Sequence, residues 1–471
     1  MRAWGIMLTS FFTLFFVACG VGGSQEHYIA NFKIAEEHYA ATYADYNEEE
    51  TLQEQYTQQE LFLQDLDYML YVLENNFALF DVAYWAHGTD IHAIGNTARD
   101  SVQNNPDMDM TEFFATLNYD FGSLISIGHF ALRLPQPYRP TVGLSPGERA
   151  SNFIRQHGGN ERIQFQIDRI SLFNENELAA EMSQALLDKD FEKLEYLLSL
   201  AFEIIDSSPN VSTDIIEEDR IAYLSINSIN PSAGEWRYSE EIVFDFYEQI
   251  RGYEHLIIDM RRTTGGHTFH FYNTILRPNI DSTVSVHGFA FVMGGERSAR
   301  ILSRASDSVF CDGCLLFPTD GVLHSIPEMF NEFELPELNK ADMERMDYGF
   351  LIQTNHLSPS RRLRFDFATA FDGKIWLLTS PLMGSAAQVS AWVSMESGFA
   401  THVGEVTGGN FGGPREWIAL PYSGIEFQMD FFYVTDERGR PLEAGTIPHH
   451  FNRPDMDALE TTLALIAEGE Y

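Results

Sequence analysis

The chain has 471 residues, too many for one small core, and its 44% apolar and 13% aromatic content fits a folded protein of two or three domains rather than a disordered one. A formal charge of −39 with 30 basic residues leaves no basic footprint for a nucleic acid and no electrostatic pull toward anionic lipid. The acidic excess suits a soluble surface, and equally a cationic peptide partner.

The first 18 residues read as an address. Met1-Arg2 is a short basic start, residues 5–17 are apolar, and Ala18-Cys19-Gly20 follows. The run is too short for an ordinary membrane span. It resembles a bacterial lipoprotein signal, which implies cleavage before Cys19, lipid on its sulfur and a mature protein outside the cytoplasm. No later run is apolar for long enough to cross a bilayer, so lipid is the expected membrane anchor. Residues 19–60 are polar and read as a tether. Helical spacing of apolar residues predicts helices over 61–77, 91–105 and 110–127, a small helical domain spanning 61–134. It ends at Gly128-His129, where alternation predicts a strand to residue 134. A lone histidine at such a junction is more often structural than catalytic. Residues 135–219 read as a linker and a helical insertion, with one long helical pattern over 177–205.

Residues 220–471 alternate between strands and helices, the pattern of an α/β layered core. Strands are expected over 221–229, 255–261, 284–293, 374–379, 402–406 and within 417–434, with helices over 236–253, after Gly266, after Ser385 and over 455–468. Residues 296–357 look irregular. They hold Cys311 and Cys314, a candidate loop disulfide outside the cytoplasm; with no second pair nearby they do not make a four-ligand zinc site.

Four pieces carry chemistry. Ser385 follows a buried strand and a Pro/Gly break and opens a helix, so it reads either as an N-cap or as an exposed nucleophile beside free helix N–H groups. Gly265 and Gly266 follow another buried strand, where a turn without Cβ atoms brings backbone N–H groups close to a substrate oxygen. With the N–H of Ala386 they form a candidate oxyanion hole. His129 is a candidate base and Glu443 an acid that could orient it. His267 is the rival base; with His270 it makes a His-x-x-His pair, but no third ligand stands nearby, so neither metal nor cofactor is expected.

In this order the pieces resemble the C-terminal-processing (tail-specific) serine peptidases and their tricorn-like and retinoid-binding-protein-like relatives. The resemblance rests on residues 221–229, LIIDMRRTTGGH, KIWLLTSPLMGSAAQV, VGEVTGGN and LEAGTIP, and more faintly on ISIGHFAL. It implies a crotonase-like α/β core with a helical N-terminal cap, and serine-dependent hydrolysis of peptide bonds. The tail-specific branch places a lysine base shortly after the nucleophile. Here that place reads VTGGNFGG, and none of the five lysines follows Ser385. The tricorn-like branch implies instead Ser385 with His129, supported by Glu443 and a second serine; that serine would fall at Gly128 and is missing. No PDZ-like segment is present. The resemblance leaves a reading of another class open: a peptide- or lipid-binding lipoprotein on a degenerate peptidase fold.

Overall fold

A computed structural model describes residues 56–135, 145–157, 161–173, 175–230, 233–306, 322–353, 357–359, 370–411 and 413–469. Cys19, Cys311 and Cys314 lie outside the described residues.

The fold is mixed α/β around a central six-stranded sheet. Its order is β13–β9–β8–β4–β3–β2, with β2 Val211–Glu217, β3 Ile221–Ile226, β4 His255–Asp259, β8 Lys374–Thr379, β9 Thr401–Gly404 and β13 His450–Phe451. All neighbours pair parallel except β2, which runs antiparallel to β3. Parallel strands are covered on both faces and read as continuous apolar runs, as HLIID and KIWLLT do. The period of two then sorts the side chains. Ile221, Ile257, Trp376, Leu378 and Val403 pack beneath the last helix, Ala458–Glu468, through Leu465 and Ile466. Their neighbours Ala222, Leu224, Leu256, Ile258, Ile375 and Leu377 join the larger core.

Two antiparallel sheets complete the strands. One has the order β12–β5–β7–β6, with β5 His287–Val292, β6 His324–Ser325, β7 Tyr348–Gln353 and β12 Phe432–Asp436. The other has the order β1–β11–β10, with β1 Ala131–Arg133, β10 Arg415–Ala419 and β11 Glu426–Asp430. Only Phe431 separates β11 from β12, so one nearly continuous run carries the chain from one sheet into the other.

The N-terminal helices are α1 Gln58–Asn76, α2 Phe80–His87, α3 Ile91–Gln103 and α4 Met110–Asp120. They pack into the same apolar cluster as the central sheet. Capping boxes at Thr57/Glu60 and Asp109/Glu112 start α1 and α4. Asp65 of α1 is buried and accepts hydrogen bonds from the N–H groups of Tyr422 and Ser423, which ties α1 to the turn between β10 and β11. The insertion has a separate core, built by α5 Pro146–His157, α6 Glu161–Ser171, α7 Asn176–Leu187 and α8 Phe191–Ser207.

Several expectations need correction. The pattern over 177–205 is two helices, broken at Asp188–Asp190, where Lys189 takes a φ of 55° and Asp190 caps α8. The stretch before residue 219 ends in a strand, β2, not a helix. The described residues of 296–357 are not irregular: they hold α11 Glu296–Ser306, β6, α12 Ile326–Glu332 and β7. No helix among the described residues is long and apolar enough to cross a membrane.

Candidate active site

The loops that follow β3, β4, β8 and β9 meet at the C-terminal ends of the parallel strands, where open α/β sheets place their ligand crevice. The loop after β8 turns at 380–384 and enters helix α13, Ala386–Glu396, through Ser385. Ser385 holds φ 54° and ψ −125°. With the bond from Ala387 N–H to the Gly384 carbonyl, this is the first central position of a type II′ turn, a place glycine fills without strain. A serine there costs on the order of 1–3 kcal/mol, and such residues cluster at functional sites. Ser385 occupies the N-cap position, but its hydroxyl makes no capping bond.

The hydroxyl meets His129 instead. His129 Nε2 lies 2.8 Å from Ser385 Oγ, although 256 positions separate the two residues. Strand register explains how the histidine gets there. β1 pairs antiparallel with β11, matching Ala131 to Gln428 and Arg133 to Glu426. Carried back two residues, the same register sets His129 opposite Asp430. There His129 Nδ1 lies 2.8 Å from Asp430 Oδ2, and the His129 backbone N–H donates to the same oxygen at 3.0 Å. Gln428 Nε2 donates to the His129 carbonyl, and the Arg133–Glu426 ion pair closes the far end of the strand pair. A carboxylate on Nδ1 requires the proton there, so Nε2 is left to accept the serine proton. Asp430 is fully buried and His129 nearly so, at 14% exposure, which leaves one edge of the imidazole open.

Glu443 does not hold the imidazole; Asp430 does. Glu443 sits on a 3-10 turn, Leu442–Ala444, behind the site. One carboxylate oxygen accepts from Gly128 N–H at 2.9 Å and the other from Phe411 N–H at 2.7 Å. It thus fixes the residue before the histidine and the loop whose Gly409 carbonyl accepts from Ser385 N–H. Burial pushes Glu443 up to about 8. His87 Nε2 stands 3.7 Å away, and burial pushes its imidazole down, so at neutral pH the two face each other uncharged. The tight packing also explains Gly128: its φ is +54°, and a Cβ there would lie 3.0 Å from Asp430 Oδ2 and from Leu79.

The glycine turn lies against Ser385. A Cβ on Gly265 would stand 3.0 Å from Ser385 Cβ; one on Gly266, at φ +137°, would stand 2.5 Å from the Ile229 carbonyl oxygen. Among the described residues neither Gly266 N–H nor Ala386 N–H donates to a backbone carbonyl. His267 is exposed at the start of α10, Thr268–Phe271, with its ring 6.0 Å from that of His270. His270 is buried against Trp236 and is pushed down to about 4 by that burial and by His267. The imidazole that reaches Ser385 is that of His129. Among the described residues no three His, Cys, Asp or Glu side chains gather as a metal site.

Asp430 is the residue that sequence reasoning passed over. Its signal is a lone acid inside the apolar run Phe427–Val434, where a charge is buried only with a partner.

Residues 220–451 match peptidase family S41. The chain carries a peptidase family S41 domain. Among curated proteins none matches the chain. Mature CPAF complexed with lactacystin is similar over 88% of this chain and 98% of its own, at 13% identity and a TM-score of 0.49. A lipoprotein from Streptococcus agalactiae is similar over 87% and 96%, at 11% identity and a TM-score of 0.40. The photosystem II D1 C-terminal processing protease is similar over 53% and 49%, at 12% identity and a TM-score of 0.31.

Proposed function

We propose that the chain is a lipid-anchored serine peptidase of the bacterial cell envelope that hydrolyses peptide bonds through an acyl-enzyme on Ser385. The observation that carries the reading is the 2.8 Å contact between Ser385 Oγ and His129 Nε2, with Asp430 on the other ring nitrogen. In this reading the central sheet and its helices are a crotonase-like core, and the helical segment 61–134 is the cap that delivers the base. The S41 domain makes peptides or proteins the substrate class. The cell-envelope address rests on the sequence ending at Cys19.

Ser385 Oγ attacks the scissile carbonyl carbon while its proton passes to His129 Nε2. Asp430 holds the ring and stabilises the imidazolium. The oxyanion takes the N–H groups of Gly266 and Ala386, with Gly265 giving the turn its close approach. Collapse breaks the C–N bond, and His129 returns the proton to the leaving amine. Water, deprotonated by the same nitrogen, then attacks the acyl carbon; the bond from that carbon to Ser385 Oγ breaks, and His129 returns the proton to Oγ.

Treatment of the intact protein with a fluorophosphonate, followed by peptide mapping, should place the label on Ser385. The label should vanish in Ser385→Ala and slow in His129→Ala. A folded protein that takes no label and cleaves nothing in a peptide library would sink the peptidase reading in favour of a binding protein. A wild type that incorporates no palmitate would remove the lipid anchor, and incorporation that survives Cys19→Ser would remove Cys19 as its site.

A further inference from the structure

Helix α8 of the insertion shows two faces. Leu194, Leu197, Leu198, Ala201 and Phe202 are buried in the insertion's own core. Phe191, Glu192, Glu195, Tyr196 and Ser199 fall on another stripe, at the three- and four-residue spacing that sets side chains next to one another on a helix. With Gly147 and Ile154 of α5 that stripe lines a groove of about 440 Å³, within the range of pockets that hold ligands. Its rings are open to solvent, Phe191 at 37% and Tyr196 at 63% exposure. Among the described residues a Cβ built on Gly147 meets no atom within 4 Å, so the α5 wall of the groove is bare backbone. Two carboxylates stand among these apolar walls. Among the described residues neither Glu192 nor Glu195 has an ion-pair partner, and the one lysine of α8, Lys193, pairs with Glu181 of α7 instead. Exposed acids alone are ordinary surface. Acids beside exposed rings in one groove are the chemistry that holds a lysine or arginine, its stem along the ring and its head on the carboxylate.

We propose that this groove docks a cationic, apolar peptide segment of a partner protein. Its aliphatic side chains fill the space along Gly147 and Ile154, and its lysine or arginine heads meet Glu192 and Glu195. Charge complementarity selects the occupant: this chain carries a formal charge of −39, so a second copy brings acid to acid, whereas a basic segment is drawn in. The apolar walls then separate a basic segment with aliphatic residues from one that is merely basic. The proposal goes beyond the peptidase reading and does not rest on it, because the insertion's core is separate from that of the central sheet.

The test is peptide binding to the intact chain, followed by fluorescence anisotropy, with Ser385→Ala present throughout so that no probe is cleaved. The probe is a labelled peptide of alternating leucine and lysine, compared with leucine–glutamate and serine–lysine peptides of the same length. The leucine–lysine peptide should bind about tenfold tighter than either. Gly147→Phe fills the groove and keeps its charge; it should weaken binding about tenfold or more, what burying one apolar side chain contributes. Gly147→Ala, which leaves the groove open, should bind as the parent does. Glu192→Gln with Glu195→Gln keeps the shape; it should weaken binding about threefold to tenfold and make it less sensitive to salt. Glu177→Gln with Glu203→Gln removes the same charge from exposed positions of the insertion outside the groove and should change nothing. Equal losses in the two double variants, or equal binding of the serine–lysine peptide, would reduce the effect to bulk electrostatic attraction and overturn the proposal. Binding indifferent to Gly147→Phe overturns it too. So does a chain that runs as a dimer in light scattering and as a monomer with Gly147→Phe, which would make the occupant a second copy. Fluorophosphonate labelling of Ser385 in the wild type is untouched by all of these outcomes, so the groove and the peptidase reading fail separately.

Discussion

Two buried acids at the site do different work, and this sets them apart experimentally. Asp430 touches the imidazole of His129; Glu443 accepts from the backbone N–H groups of Gly128 and Phe411 and faces His87. Asp430→Asn should lower kcat by about four orders of magnitude, because the amide stabilises the wrong tautomer of His129. Glu443→Gln should cost far less, since it replaces one accepted bond in a supporting position. Steady-state kinetics on the two variants checks the contrast, and equal losses would restore Glu443 to the catalytic group. Ser385, His129 and the glycine turn were singled out in the sequence at junctions of local patterns, and it was the family resemblance, not those patterns, that joined them into one candidate site. Asp430 was not singled out, because its partner is reached only through a strand register that no local pattern encodes. Ser385 as a helix cap and as a nucleophile could not be separated by sequence; its φ of 54° and its uncapped hydroxyl favour the second.

At the scale of elements, the central strands were legible for a plain reason: a strand buried on both faces is an uninterrupted apolar run. β1 is different, with three residues, all half-buried, and yet it carries His129 to Ser385. The irregular look of 296–357 came from short elements, a two-residue strand and a seven-residue helix among them, too brief for periodicity to show. The insertion reaches the site from two sides: its helix α6 packs on the turn Gly122–Ser126 that leads to His129, and one contact meets the glycine turn. Arg262, which leads into Gly265–Gly266, donates from Nε to the Leu172 carbonyl at 2.5 Å, and its guanidinium lies 4.7 Å from the centre of the Phe173 ring. Arg262→Ala should slow labelling of Ser385 by about tenfold with the circular dichroism spectrum unchanged, since about one charged hydrogen bond to a positioned loop is lost. Unchanged labelling would mean that the insertion holds nothing at the glycine turn.

For the molecule as a whole, buried acids and buried histidines pull the response to pH in opposite directions. Burial raises Glu443 to about 8 and Asp120 to about 6, and raises Asp65, Asp342 and Asp436 as well. A carboxyl raised in the folded state holds a proton that the unfolded chain has released, so stability is greatest below the unfolded value and falls as pH rises through the folded one. His402, held down to about 3, and His270, held down to about 4, act the other way below about pH 6.5, so the thermal stability should fall cleanly between about pH 6.5 and 8, as Glu443 ionises. Glu443→Gln should flatten the upper part of that slope, whatever uniform shift it brings. A slope that is identical in the variant would show that Glu443 titrates alike in both states.

The pairing of β1 with β11 also governs when the site can exist. Asp430 is among the last residues to be synthesised, and His129 belongs to the first third of the chain. On the peptidase reading, serine and imidazole have no common frame until the strand at 426–430 has folded back onto 131–133, so a partly made chain carries no hydrolytic centre. Latency during synthesis is then written into the distance along the chain between the two halves of a three-residue clasp.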